Sequence, residues 1–139
     1  MAKEIPQGAA AGPALEPEEF SDPVFVPYVY TAEVLSVYDA DTITIEIDLG
    51  FHVKAKQKVR LFGIDAWEVR GAERPQGLIA RDWMREQIPA GSKIMIKTIK
   101  DKTGKYGRYL AIVYVKTATG YRNLNRELVT LGYAEYKEY

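Results

Sequence analysis

Asp39 and Asp41 stand one residue apart in Asp39-Ala-Asp41-Thr42, between two strand-like runs. Two carboxylates at that spacing can reach one hard cation such as calcium, which takes several oxygen ligands. The same segment also serves as an Asx turn closing a hairpin. A second cluster is Arg60-Leu-Phe-Gly-Ile-Asp65-Ala-Trp-Glu68. An arginine beside two acids has the parts for phosphodiester hydrolysis: one acid to hold a metal, one to activate water, and a guanidinium to neutralise phosphate. Read structurally, the same residues are a surface ion-pair cluster that contributes little. The third cluster is Lys105-Tyr106-Gly107-Arg108. Its glycine lets the backbone come close, Arg108 offers a bidentate fork, and Tyr106 offers a ring face on which a base can stack. A solvated hairpin loop is the plainer reading of these four residues.

Composition narrows the chemistry to such groups. The 139 residues contain no cysteine and a single histidine, His52. Disulfide scaffolds, thiol nucleophiles and cysteine zinc sites are therefore excluded, and a multi-histidine metal site or serine-type triad has too few partners. No apolar run approaches the roughly 20 residues of a membrane-spanning helix. The 19 basic and 19 acidic residues cancel overall, but residues 1–27 carry −4 and residues 28–139 carry +4. A mildly basic body is compatible with a polyanionic partner, and equally with ordinary solvated lysines.

The elements that would position these clusters follow from the patterning. Residues 1–27 hold five of the seven prolines and few large apolar side chains, and are expected to form a flexible acidic tail. They contain no secretory leader run, so the chain is expected in the cytoplasm. From Tyr28 onward strands are expected over Tyr28–Tyr38, Asp41–Leu49 and Phe51–Ile64, the second with Ile43, Ile45 and Ile47 on one face. A helical stripe of Leu78, Ala80, Trp83, Met84 and Ile88 predicts a helix over Glu73–Ile88. Strands over Lys93–Lys100 and Arg108–Lys116 and a short helix over Leu124–Leu131, stopped by Gly132, complete the order. Five strands with a helix after the third outline an OB-fold, a Greek-key barrel in a mainly β chain with helices, occupying residues 28–139.

In this order and spacing the clusters resemble the staphylococcal nuclease (thermonuclease) family. The likeness runs from about Val34 to Gly132, and it includes the Asp-x-Asp-Thr turn and the Val-Arg-Leu strand leading to Asp-x-x-Glu. It continues through Lys-Tyr-Gly-Arg and Asn125-Arg-Glu-Leu-Val-Thr-Leu-Gly132-Tyr-Ala. The resemblance implies an OB barrel and calcium-dependent hydrolysis of DNA and RNA, single- or double-stranded, with little sequence specificity. The expected products carry 5′-hydroxyl and 3′-phosphate ends. Carried over by residue, it implies Asp41, Asp65 and the Ala66 main-chain carbonyl as calcium ligands, with Asp39 acting through water. It implies Arg60 and Arg108 as phosphate-binding catalytic arginines and Glu68 as the carboxylate cast as general base. Apart from the resemblance, Lys105, Tyr106, Tyr136 and Tyr139 are expected to contact substrate, the tyrosines by stacking on bases, with packing residues bearing wet hydroxyls as the plainer reading of the tyrosines.

The chain departs from the family pattern at several positions. Ala40 stands where the family usually has Gly, which is expected to restrict the turn. Asp-Ala-Trp-Glu replaces the usual Asp-Thr-Pro-Glu over residues 65–68, and losing the proline is expected to loosen Glu68. The family's C-terminal helix is expected to be absent or abbreviated. Lys54, Lys56 and Lys58 alternate with Ala55 and Gln57, so they share one strand face, either tracking backbone phosphates or keeping that face soluble. His52 is expected at the surface. The expectation is a monomeric nuclease without membrane association. A catalytically weak OB-fold module that binds nucleic acid, or a protein-interaction module, is the alternative.

Overall fold

The structure, a computed structural model, describes residues 28–99 and 109–138. In chain order the elements are β1 (Val29–Asp39), β2 (Thr42–Asp48), β3 (Lys54–Leu61), β4 (Ile64–Ala66) and α1 (Arg74–Gln87). They continue with β5 (Lys93–Ile99), β6 (Tyr109–Lys116), β7 (Tyr121–Asn123), α2 (Leu124–Thr130) and β8 (Ala134–Tyr136). Period-two alternation builds the barrel. Ile43, Ile45 and Ile47 on β2 are buried, as are Val59 and Leu61 on β3, Ile94 and Ile96 on β5, and Val113 on β6. Lys54, Lys56 and Lys58 face outward together, as their spacing predicts.

The main sheet runs β3-β2-β1-β5-β6-β7, and a parallel pairing of β3 with β6 closes it. β1, β2, β3, β5 and β6 thereby form a five-stranded barrel of OB topology, with α1 between the third and fourth barrel strands. The pairing of β1 with β2 slips twice, between Val34 and Ser36 and again between Val37 and Asp39. Such bulges bend a strand and increase its twist, which lets a long strand curl around a small core.

The expected third strand is shorter than its apolar pattern and is split. Phe51 and His52 adopt left-handed φ of 53° and 62°, so the chain is still turning there, and Phe51 is 97% exposed. His52 is at the surface, as expected. At the other end Gly63, at φ 78°, permits a turn that detaches β4 from β3. β4 instead pairs with β8, with Asp65 opposite Glu135. Three-residue strands such as β4, β7 and β8 carry too few alternations to be read from sequence.

Each helix fixes one of the turns. α1 begins after a 3₁₀ turn over Gly71–Glu73, has Pro75 in its first turn, and buries Gly77, Ala80 and Met84. Leu78 and Trp83 are only half-buried, Trp83 packing against Tyr133 with ring centres 5.8 Å apart. Arg85 donates through Nε and Nη2 to the Val37 carbonyl at 3.1 and 2.8 Å, where β1 bulges. α2 is capped by Asn123, which accepts from the Arg126 N–H. It ends in a Schellman arrangement: Gly132 at φ 80°, Gly132 N donating to Val129 O, and Tyr133 N donating to Leu128 O. Asn125 on α2 is buried and fully used, accepting from Val113 N and donating to the carbonyls of Phe62 and Ala111.

Gly77 is the tightest point of this packing. A Cβ there would overlap the main-chain carbonyl of Glu68, a neighbour that cannot swing aside. An interior helical glycine ordinarily gains stability on becoming alanine, by about 1 kcal/mol. Gly77→Ala is expected to do the reverse and lose about 1–3 kcal/mol by overpacking. Urea unfolding measures this, and a variant as stable as the parent or more stable contradicts the packing described.

Candidate active site

The turn between β1 and β2 presents Asp39 and Asp41. The Asp41 N–H donates to Asp39 Oδ1 at 3.3 Å, the Asx geometry anticipated for this spacing. Asp41 is 5% exposed. Its Oδ1 accepts from the Thr42 hydroxyl at 3.2 Å and its Oδ2 from the Ala66 N–H at 3.0 Å. Its own carbonyl accepts from Leu61 N at 2.8 Å. Arg60 Nη2 lies 3.5 Å from Asp41 Oδ2 and 3.1 Å from Asp65 Oδ1, so one guanidinium bridges both acids.

These residues line a cleft of about 350 Å³, together with Tyr38, Asp39, Thr42, Lys58, Ala66, Glu68, Val69 and Arg70. Every described residue in the expected catalytic and metal sets is therefore brought to one place. Burial, and then the hydrogen bond and charge of Asp41, push the Asp39 carboxyl up to about 7. Loss of water around the carboxyl is the larger cause, and the second acid at the mouth of β2 adds to it.

Glu68 is held firmly although no proline precedes it, against the looser loop expected from sequence. Trp67 donates its main-chain N–H to Tyr133 O at 3.2 Å and its indole N–H to Gly132 O at 2.9 Å. The Glu68 N–H donates to Glu73 Oε2 at 3.0 Å, and Gly77 abuts its carbonyl. Nor does Ala40 strain its turn: it is buried, and it is not among the described residues with left-handed φ.

Tyr136 is 71% exposed on β8 and is not part of the cleft lining. Lys105, Tyr106, Arg108 and Tyr139 lie outside the described residues, as does the segment 1–27. The following residue Tyr109 pairs with Val59, next to Arg60. Sequence reasoning missed Tyr38 and Arg70 as cleft residues. The available signals were their positions, immediately before Asp39 and two residues after Glu68.

The donor set is all oxygen, from Asp39, Asp41, Asp65 and the Ala66 carbonyl, which suits a hard cation such as calcium. Among the described residues no group of three ligating side chains is already assembled, and Arg60 stands between the two acids instead. The residues fit calcium in chemistry and in shared location. No helix among the described residues is long and apolar enough to cross a membrane.

A family model described as staphylococcal nuclease homologue matches residues 58–139. An uncharacterized protein of Methanocaldococcus jannaschii is 28% identical over 125 aligned positions, covering 76% of this chain. The chain spans 58% of that relative's length.

The raised Asp39 carboxyl has a stability consequence. It is protonated more readily in the folded chain than in the unfolded one, so its contribution is complete below about 3.8 and is lost as pH rises to about 7. Asp39→Asn is expected to flatten the fall in stability between pH 5 and pH 8. Urea unfolding in chelator at the two pH values measures it, and an equal fall in both proteins contradicts the shift.

Proposed function

This chain belongs to the staphylococcal nuclease homologue family, and from that premise we propose that it is a calcium-dependent nuclease. It hydrolyses phosphodiester bonds of DNA and RNA with little sequence preference and leaves 5′-hydroxyl and 3′-phosphate ends. The observation that carries the reading is the meeting of Asp41, Arg60, Asp65 and Glu68 in one cleft from separate turns and strands. Residues 28–139 are the unit that acts.

Asp41, Asp65 and the Ala66 carbonyl would hold the calcium ion, with Asp39 reaching it through water, and the ion would supply Lewis-acid polarisation of the phosphate. Arg60 turns its fork from the acids toward a nonbridging phosphate oxygen, and Arg108, just before β6, shares that charge. Glu68 orients a water molecule and accepts its proton as the water oxygen attacks phosphorus. The bond from phosphorus to the 5′ oxygen breaks, and that oxygen leaves to become the 5′-hydroxyl. Negative charge grows on the phosphate oxygens during attack, so fixed guanidinium donors favour the transition state over the ground state.

The second reading is a binding module with little turnover. It draws on the guanidinium of Arg60 lying between Asp41 and Asp65, the space a cation would share.

A cleavage assay on labelled DNA and RNA, with calcium or with chelator, separates the two. Cleavage is expected only with calcium. Arg60→Ala is expected to lower kcat by about 10²–10³, and Arg60→Lys to recover little because a point charge replaces a planar fork. Glu68→Gln is expected to lower kcat as well, and its loss should not add to that of Arg60, since both act on one transition state. Binding without cleavage establishes the second reading. Folded Arg60 and Glu68 variants that cleave at the parent rate overturn the assignment of the site.

A further inference from the structure

Tyr38, Lys58 and Arg70 line the same cleft as the acids, and none of them has a part in the reaction above. Arg70 Nε donates to the Tyr38 hydroxyl at 2.9 Å, and Arg70 Nη2 donates to the same oxygen. Lys58 Nζ lies 5.3 Å from the centre of the Tyr38 ring, and the Arg70 guanidinium carbon lies 5.7 Å from it. One aromatic ring on the cleft wall thus gathers two cations. Lys58 precedes Arg60 by two residues along β3, a step of about 6.7 Å.

The partners of these cations set them apart. Arg60, Arg81, Arg122 and Lys54 each form an ion pair with a carboxylate. Among the described residues no carboxylate comes that close to Lys58 or Arg70. The Tyr38 hydroxyl first, and then the more distant Glu68 and Asp39, hold the Arg70 guanidinium above its ordinary pKa. A phenol fixes a guanidinium in place without cancelling its charge. Tyr38 engages two of the five N–H groups, which leaves the others free to meet two oxygens of an anionic ligand.

We infer that Tyr38, Lys58 and Arg70 form a subsite for the phosphate adjacent to the scissile one, on a single strand of nucleic acid. The inference rests on the nuclease reading for which phosphate is scissile, and not for the binding itself. Arg70 and Lys58 contact the phosphate oxygens. Tyr38 is a positioning residue whose ring and hydroxyl hold both cations. A cleft of about 350 Å³ lies at the small end of the range for small-ligand sites, about 300–1,000 Å³, a size for the groups of one strand and not for a base-paired duplex.

Fluorescence anisotropy of a labelled oligothymidylate and an oligouridylate, in chelator and across a salt series, tests this on the full chain. Arg70→Ala and Lys58→Ala are each expected to weaken binding about tenfold at low salt. Each is also expected to cut the slope of log Kd against log salt by about 0.7. Tyr38→Phe keeps the ring and loses the hydroxyl, so it is expected to weaken binding less than Arg70→Ala does. Arg81→Ala, on α1 and paired with Asp82, is expected to bind like the parent. Parent affinity and slope in both cation variants overturn the proposal, as does a parent chain that binds neither oligonucleotide. Tighter binding to a duplex than to a single strand, or displacement by inorganic phosphate at equal concentration, overturns the strand assignment. A parent that binds as described but never cleaves with calcium sinks the nuclease reading and leaves the subsite standing.

Discussion

A carboxylate held out of water where three strands meet is the constraint on which this cleft depends. Asp41 receives the Ala66 N–H of β4 and the Thr42 hydroxyl of β2, faces Arg60 of β3, and through its carbonyl binds Leu61. Removing one partner of a buried charge typically costs about 3–5 kcal/mol, because the remaining charge stays buried without compensation. The outer pairs Lys54–Glu46 and Arg81–Asp82 belong to the exposed class worth about 0–1 kcal/mol. The geometry of the cleft is thus tied to an electrostatic arrangement that the fold cannot cheaply lose. Under the proposed function a bound cation would neutralise the same two acids that Arg60 faces.

The helices act on that centre indirectly. α1 sets the Glu68 turn through Gly77 and holds the β1 bulge through Arg85. α2 holds the turn between β3 and β4 through Asn125, which bonds the Phe62 carbonyl. The Arg122 guanidinium joins the two ends of this support by binding Glu127 of α2 and Gln87 of α1. Acidic and basic groups that arise far apart in sequence therefore sit on turns braced from behind, and rigid bracing is what transition-state stabilisation requires of donors.

Much of this was legible in the residues. Isoleucines at 43, 45 and 47 marked an inward face, and Leu124 to Gly132 marked a short helix with its stop. Asp39, Asp41, Arg60, Asp65 and Glu68 were singled out in two short segments, each with a plainer structural reading of its own, and the likeness to the nuclease family is what joined them into one site. Other features were not legible for identifiable reasons. The split of the third strand depends on Gly63 turning and on β8 supplying a partner, a contact between residues about 70 positions apart in the chain. Trp67 replaces the expected proline by hydrogen-bonding Gly132, which no local pattern announces. The cluster of Tyr38, Lys58 and Arg70 comes from three elements, and only the barrel places them together.

Under the proposed function Asp41 has a double role: it anchors the strand junction and is the principal carboxylate for a divalent cation. Thermal unfolding of the parent chain and of Asp41→Asn, each with calcium and with chelator, tests that double role most directly. The parent is expected to gain stability with calcium as RT ln(1 + [L]/Kd), about 2.7 kcal/mol at a hundredfold excess over Kd. The variant is expected to melt lower in chelator and to gain nothing from calcium. A parent midpoint indifferent to calcium, or a variant that matches the parent under both conditions, contradicts the account.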